Sequence, residues 1–477
     1  MGRHSNIARC VSSCFALTLL MSGCSLAPTY HAPLINISSD AWQNKVWQVA
    51  QPVDNQPHGA WWQIYGDPVL NELESHIEAA NPTLAAALAR YNQANAYTAQ
   101  LRSGLAPSVD AGSSLTNNRQ SDNRPLRGTN QPNVFDANSV GLSANYTLDI
   151  WDLVHNQVAA GEANAQASAA DLQTIRISLQ AQLADNYISL RGTDAEVKLL
   201  TDAVSAYRRA LELTQRRHAG GIVSGLDVSR AQTQLSSVEA QLDEIQSRRA
   251  IYEHAIASLI GTAAMNFSVP TADHPFDVPN IPVGIPSTLL QRRPDISAAE
   301  RRTAAANATI GVARAAYYPN FSLGAVYGYQ NTGKAGLLTA PNTFWSLGPS
   351  VLLNLFDAGK HDAELAQARA EFDLASAQYR STVLGAFQQV EDDLAQLKFG
   401  KQGELKQQAA LAAAEKTLDL SLNRYREGAV NYLDVVIAQT AALSAERSAL
   451  ELHTQQLRAS VDLVRALGGS WESIENK

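Results

Sequence analysis

Side chains that could do covalent chemistry are sparse along the 477 residues. The sequence has no H-E-x-x-H zinc motif, no G-x-S-x-G nucleophile turn, no phosphate-binding G-x-x-x-x-G-K-[ST] and no C-x-x-C pair. The ten histidines are scattered, and the densest acidic run, Glu391-Asp392-Asp393, is typical of a solvated helix face. A net charge of −8 offers no basic footprint for nucleic acid. We predict no catalytic residue, metal site, cofactor or nucleic-acid partner.

One cysteine has the context for modification. Leu20-Met21-Ser22-Gly23-Cys24 follows a positively charged start and an apolar run too short to span a bilayer, and it resembles a bacterial lipobox. Cys10 and Cys14 would leave with the signal, so Cys24 would have no partner for a disulfide. We predict a lipoprotein signal peptide over 1–23 and lipidation at Cys24. Ser25, by resemblance to enterobacterial lipoproteins, favours sorting to the outer membrane.

A stretch that occurs twice organises the rest of the chain. The segment from Arg217 to Val228 returns, 207 residues later, as Arg424 to Val435. In both copies a glycine interrupts a helical pattern, and Leu-Asp-Val then restarts a helix. Each copy therefore predicts a helix–turn–helix tip. Two such tips indicate one duplicated architecture rather than the several domains that the length alone would allow.

Four segments show an alternation of apolar and polar residues with a period of two. They predict strands at about 107–117 and 138–150 in the first repeat and at about 319–330 and 343–355 in the second. Their length of about ten residues suits tilted membrane-spanning strands, although a soluble sheet is the alternative. Because the smallest membrane barrels have about eight strands, the chain must oligomerise to close one.

Long helices complete each repeat. Asp152 and Asp357 follow the predicted hairpins and are expected to cap the helices that begin there, and the helices after the tips carry heptad stripes that we interpret as core packing. The predicted fold is mainly α with a β-barrel portion. Its segments are a lead-in over 24–60, a first repeat over 61–262, a Pro-rich crossover over 263–287, a second repeat over 288–469 and a tail over 470–477.

These features in this order resemble the TolC-type outer-membrane efflux factors, specifically their lipoprotein (NodT/OprM-like) subgroup. The strings that carry the resemblance are Trp62 to Leu70, Leu290 to Ile296, Ala316 to Pro319, Phe356 to Gly359 and Tyr432 to Val435. The resemblance implies a homotrimer with a 12-stranded outer-membrane barrel that continues into a periplasmic helical tunnel. It also implies a passive exit duct for an inner-membrane efflux pump, joined through a periplasmic adaptor protein, as in multidrug resistance. The alternative function is a non-conducting periplasmic coiled-coil scaffold.

The same resemblance places a periplasmic gate at Asp227, Asp434 and Tyr425. Carboxylates repeated around a threefold axis would repel anions and attract cations. An equally open role for either aspartate is to N-cap the helix that it begins. Tyr425 matches a tyrosine that in some members hydrogen-bonds the other repeat's aspartate, here Asp227. Val430 and Ile437 replace an arginine and a second acidic residue of such gates, so this gate is expected to be held differently.

Adaptor docking is expected at the tips themselves. The residues concerned are Gly221, Val223, Ser224 and Leu226 in the first copy and Gly428, Val430, Asn431 and Leu433 in the second. The copies differ where His218 corresponds to Tyr425 and Gly225 to Tyr432. We predict that the second tip carries the bulkier gating side chains.

Overall fold

The computed structural model describes residues 25–33, 59–123, 132–272, 276–279, 293–333 and 336–469. The predicted signal peptide, Cys24, most of the lead-in, part of the crossover and the tail lie outside these ranges. The helices are α1 (Pro68–Ala80), α2 (Pro82–Ser103), α3 (Leu153–Ala219), α4 (Gly225–Leu259), α5 (Pro294–Ala315), α6 (Lys360–Arg426) and α7 (Tyr432–Ala466). The strands are β1 (Ser108–Arg119), β2 (Val134–Leu148), β3 (Asn320–Asn331) and β4 (Thr343–Leu352).

Helix lengths repeat along the chain. Helices α3 and α6 both have 67 residues, and α4 and α7 both have 35. Each long helix turns into its shorter partner at one of the two tips. The duplication seen in the sequence is therefore also a duplication of secondary structure. Within the described ranges, no helix has both the length and the apolar content to cross a membrane.

The chain divides into two compact units, the first built from 1–34, 90–168 and 298–380. Its sheet has the antiparallel order β1-β2-β3-β4, so the hairpins of the two repeats join through β2 and β3. All four predicted strand segments are present with shifted ends. Strand β2 begins at Val134, before the predicted position, because Arg119 of β1 still pairs with it there. Strand β4 ends at Leu352, which pairs with Asn320, the first residue of β3.

The register separates the two faces of the sheet. One row of opposed residues is Ala111, Leu142, Tyr327 and Trp345, and another row, on the opposite face, is Ser108, Asn145, Gly324 and Gly348. Because opposed residues share a face, the predicted alternation continues across all four strands as one apolar and one polar surface. The apolar face is open in the single chain, with Trp345 74% exposed.

The entry into α3 corrects one prediction. Asp149, not Asp152, caps this helix, since its carboxylate accepts hydrogen bonds from Val154 N at 3.0 Å and His155 N at 2.8 Å. Asp152 instead occupies the left-handed region, with φ of 54°. In the second repeat the expected residue does cap, because Asp357 accepts from His361 N at 3.0 Å. The capping aspartate lies four residues before the first helical residue in the first repeat and three residues before it in the second, which sequence equivalence alone did not reveal.

The first unit also contains the segment 25–33, which runs along α5. Three side chains of α5 bind it: Arg314 donates to Leu26 O at 3.0 Å, Asn307 donates to Pro28 O at 2.8 Å, and Glu300 accepts from the Tyr30 hydroxyl at 2.8 Å. The α5 residues are spaced by seven, so they share one helix face. This face holds the segment in a fixed register.

The second unit, built from 35–89, 169–297 and 381–477, contains the main apolar core. The string from Trp62 to Leu70 has a structural explanation there. Asp67 N-caps α1 by accepting from Val69 N and Leu70 N, and it also accepts from the buried Tyr187 hydroxyl at 2.9 Å. Arg293 similarly binds Asp295 and donates to Ala466 O, the end of α7, at 2.9 Å. These motif residues therefore fix helix ends in the core.

The acidic run in α6 is only partly a solvated face. Asp393 is buried, whereas Glu391 and Asp392 are exposed. Burial, together with the charge of Asp462 on α7, raises the pKa of Asp393 to about 7. The prediction of a wholly solvated run was wrong because packing against a distant helix cannot be read from one helix's own pattern.

Candidate functional site

Both tips share one backbone design. In the first, Ile222 N donates to Arg217 O at 2.9 Å and Gly221 N to His218 O at 2.9 Å. In the second, Ala429 N donates to Arg424 O at 2.8 Å and Gly428 N to Tyr425 O at 3.0 Å. This is the Schellman termination, which needs a left-handed residue. Gly221 and Gly428 supply it with φ of 71° and 78°.

Arg217 joins the first tip to the second. Its guanidinium donates to Tyr425 O at 2.8 Å and to Arg426 O at 3.2 Å, and it lies 4.8 Å from the centre of the Tyr425 ring. The two carbonyls end α6, where backbone acceptors lack intrahelical partners and the helix dipole is negative. Arg217 therefore caps α6 from the other repeat. Arg217 recurs as Arg424 in the sequence, but its residue type alone did not predict this role.

Tyr425 is a packing residue in this chain. It is 3% exposed, and its ring meets that of Tyr432 edge-on at 5.3 Å between centroids. Its hydroxyl lies 3.5 Å from Thr214 Oγ1. No hydrogen bond joins it to Asp227 among the described residues, so the latch that the resemblance implies is not formed within this chain. Burial raises the pKa of Tyr432 to about 12, with smaller contributions from Tyr425, Tyr207 and Asp227.

The two tip aspartates have different surroundings. Asp227 forms an ion pair with Arg230 one turn later, at 3.4 Å, and is half-buried. Asp434 is exposed, and the residue equivalent to Arg230 is Ile437. The structure shows no ion pair for Asp434 with any described residue. Of the two tip aspartates, only Asp434 therefore lacks a compensating cation among the described residues.

Neither aspartate is the N-cap residue that one prediction made it. Helices α4 and α7 begin at Gly225 and Tyr432, so each aspartate is the third helical residue. Asn431 caps α7, with its side chain accepting from Asp434 N at 3.2 Å, whereas Ser224 precedes α4 without a side-chain cap bond. Carboxylates in a first turn still favour the positive end of the helix dipole.

The predicted docking residues form the surface of the turns. Ser224, Asn431 and both tip glycines are exposed, as are Leu226 and Leu433, at 59% and 38%. Val223 and Val430 are half-buried, and Val430 packs against the apolar cluster of the tip helices. The sequence reasoning missed Ile222, which is 69% exposed. Its apolar type within a turn was the signal for it.

A possible metal-ligand group lies elsewhere, in the first unit. Asp149, Asp152 and His155 bring one ligand atom each within 4.8 Å of one another. The Asp149 carboxylate is already engaged by two backbone N–H groups and by His155 Nδ1 at 2.8 Å. This arrangement functions as the cap of α3.

The matches to known proteins cover both repeats. The family model for outer membrane efflux proteins matches residues 73–262 and 285–469. The chain is 30% identical to the antibiotic efflux pump outer membrane protein ArpC of Pseudomonas putida over 454 residues, which cover 95% of this chain and 94% of ArpC. It is also 30% identical to the outer membrane protein OprJ of Pseudomonas aeruginosa over 464 residues, 96% of each.

Among solved structures, the outer membrane protein VceC of Vibrio cholerae matches with a TM-score of 0.81 at 28% identity, covering 87% of this chain and 100% of VceC. The fold described above is therefore similar to that of a known outer membrane protein. The chain belongs to the outer membrane efflux protein family, and it is an outer-membrane exit duct with a helical tunnel portion and a β-barrel portion.

Proposed function

We propose that three copies of the chain form the exit duct of a tripartite efflux system, which conducts substrates passively to the exterior. The open sheet is the observation that carries the proposal. Within the described residues, the outer edges of β1 and β4 have no strand partner. In a membrane every backbone N–H and C=O needs a partner, so β4 of one copy pairs with β1 of the next. The apolar face then meets lipid and the polar face lines the pore.

The ends of the strands suit a membrane interface. Trp151 stacks on Tyr318 with ring centroids 4.7 Å apart, and its Nε1 donates to Pro319 O at 2.9 Å, just before β3. Aromatic rings with a polar handle favour this level of the bilayer. A non-conducting scaffold gives no reason for these residues or for the apolar face.

Lipid anchoring at Cys24 belongs to the same proposal. Leu26, two residues after Cys24, is held by Arg314 at the end of α5, five residues before Pro319. The start of the described chain is therefore fixed close in sequence to the aromatic residues that precede β3. An acyl chain on Cys24 would enter the outer membrane near the interface that these aromatic residues mark. It would anchor the protein in the membrane in addition to the barrel.

The tips form the periplasmic gate. Asp434, repeated in three copies, supplies a ring of uncompensated carboxylates, while Asp227 is partly neutralised by Arg230. Tyr425 positions the second tip rather than contacting substrate, because it is buried between Arg217 and Tyr432. The gate is thus asymmetric, with the unpaired aspartate on the second repeat.

The exposed turn residues provide the docking surface for a periplasmic adaptor protein, which links the duct to an inner-membrane pump. The first turn presents Ile222 and Leu226, and the second presents Leu433. Apolar side chains on an otherwise polar turn suit a partner with a complementary apolar groove. The duct carries out transport and no covalent chemistry on its cargo.

Conductance in planar bilayers tests the duct and its gate together. Protein extracted in detergent should give channels that prefer cations, and Asp434→Asn should reduce the cation-to-anion permeability ratio severalfold. Asp227→Asn is the matched control and should change it less, because Arg230 already balances that charge. Absence of channels would contradict the duct, and equal effects of the two variants would contradict the asymmetric gate.

A further inference from the structure

The second tip carries an arginine that the chain itself does not use. Arg424 is exposed, and the described residues offer its guanidinium no hydrogen bond or ion pair. Its counterpart 207 residues earlier, Arg217, is half-buried and caps α6 through Tyr425 O and Arg426 O. Equivalent side chains on equivalent turns therefore have opposite surroundings.

The matching carbonyls on the first tip have no side-chain donor among the described residues. Tyr425 and Arg426 correspond by the repeat to His218 and Ala219, the last residues of α3. His218 O accepts Gly221 N in the turn, just as Tyr425 O accepts Gly428 N. In the described part of the chain, no side chain donates to His218 O or Ala219 O. Terminal carbonyls of a long helix favour a cation.

We propose that Arg424 caps His218 O and Ala219 O of a second copy, and so repeats between copies the contact that Arg217 makes within one. The proposal rests on the trimer proposed above. In a closed ring the two repeats alternate, so each first tip has a second tip on both sides, one its own and one from a neighbour. Because both turns share the Schellman geometry, the arginine-to-carbonyl contact that joins the two tips of one chain can also form between tips of neighbouring copies.

The two junctions differ in strength. Within a chain, the Arg217 guanidinium lies over Tyr425, which packs on Tyr432. Between copies, the corresponding positions hold His218 and Gly225, so the junction buries a smaller ring and no second aromatic residue. Less buried aromatic surface means less stabilisation. The junction between copies is therefore where the ring of tips separates first when the duct opens.

Paired cysteines test the contact directly. Arg424→Cys with His218→Cys, in the full-length lipid-anchored protein oxidised with copper phenanthroline, should yield covalent dimers and trimers on a denaturing gel without reductant. The control pair Arg217→Cys with Arg426→Cys should stay at the mobility of one chain, because that contact lies inside the chain. Single-cysteine variants give the background, and the expected excess of multimers over it is severalfold.

Three outcomes would overturn the proposal. If the Arg424→Cys and His218→Cys pair gives no multimers above background while amine cross-linking of the unsubstituted protein gives trimers, the contact is wrong and the trimer stands. If amine cross-linking gives only single chains, the trimer itself fails. Independently of thiols, Arg424→Ala should raise the closed-state conductance severalfold and Arg424→Lys should restore part of the closure. An unchanged conductance for Arg424→Ala would count against the contact.

Discussion

The two tips have the same backbone and different side-chain roles. Both turns end a 67-residue helix with a left-handed glycine and start a 35-residue helix. The second tip is filled by Tyr425 and Tyr432, whereas the first has His218 and Gly225 at these places. Duplication thus preserved the termination geometry and left the side chains free to specialise. The second tip has the buried aromatic rings and the unpaired aspartate. Arg217 of the first tip caps the helix that ends there.

The largest expected difference between the tips concerns Tyr425 and His218. Tyr425→Ala removes a buried ring between Arg217 and Tyr432 and should cost about 3–5 kcal/mol of local stability, as for other large-to-small core changes. Hydrogen exchange of the α6 and α7 amides near the turn measures this opening free energy. His218→Ala, the matched change on the first tip, should cost less than about 1 kcal/mol, since His218 is exposed.

Tyr425→Phe separates packing from hydrogen bonding at the same position. The hydroxyl contributes only the 3.5 Å contact with Thr214, so this variant should keep most of the protection. A loss as large as that of Tyr425→Ala would mean that a bond of the hydroxyl, and not the packed ring, holds the second tip.

How much of the tips could be predicted from the sequence depends on how far apart in the chain the interacting residues lie. Turns, strands and repeats came from local patterns, and Gly221 and Gly428 were placed correctly because a left-handed helix end restricts residue type. The N-cap role, one of the two left open for Asp227 and Asp434, was wrong because Leu-Asp-Val was taken as the helix start, whereas α4 and α7 begin two residues before the aspartate. That small shift turns a cap into a first-turn carboxylate.

Contacts between residues that are distant in sequence could not be predicted from local residue patterns. Arg217 reaches carbonyls more than 200 residues away, and backbone acceptors leave no trace in residue types. The same holds for Asp393, whose burial depends on α7. Arg230, by contrast, lies one turn from Asp227, and the i,i+3 spacing of opposite charges could have revealed that pair.

The shared backbone predicts equal responses at the two glycines. Gly221→Ala and Gly428→Ala each place a side chain at positive φ, which costs roughly 1–2 kcal/mol, and an added Cβ meets no atom within 4 Å at either site. Exchange protection of the two turns should therefore fall by similar amounts. A clearly larger loss at one tip would show that the two turns are not energetically equivalent despite their common hydrogen bonds.

The smallest expected difference lies at the helix starts. Asn431 accepts a hydrogen bond from Asp434 N, so Asn431→Ala should cost about 1 kcal/mol in protection of the first turn of α7. Ser224 makes no such bond, so Ser224→Ala should leave the first turn of α4 almost unchanged. Conversely, Ser224→Asn should add a cap and bring the start of α4 towards the stability of α7. If Ser224→Ala is as costly as Asn431→Ala, a side-chain cap operates at both tips, and their difference reduces to the aromatic residues and the unpaired Asp434.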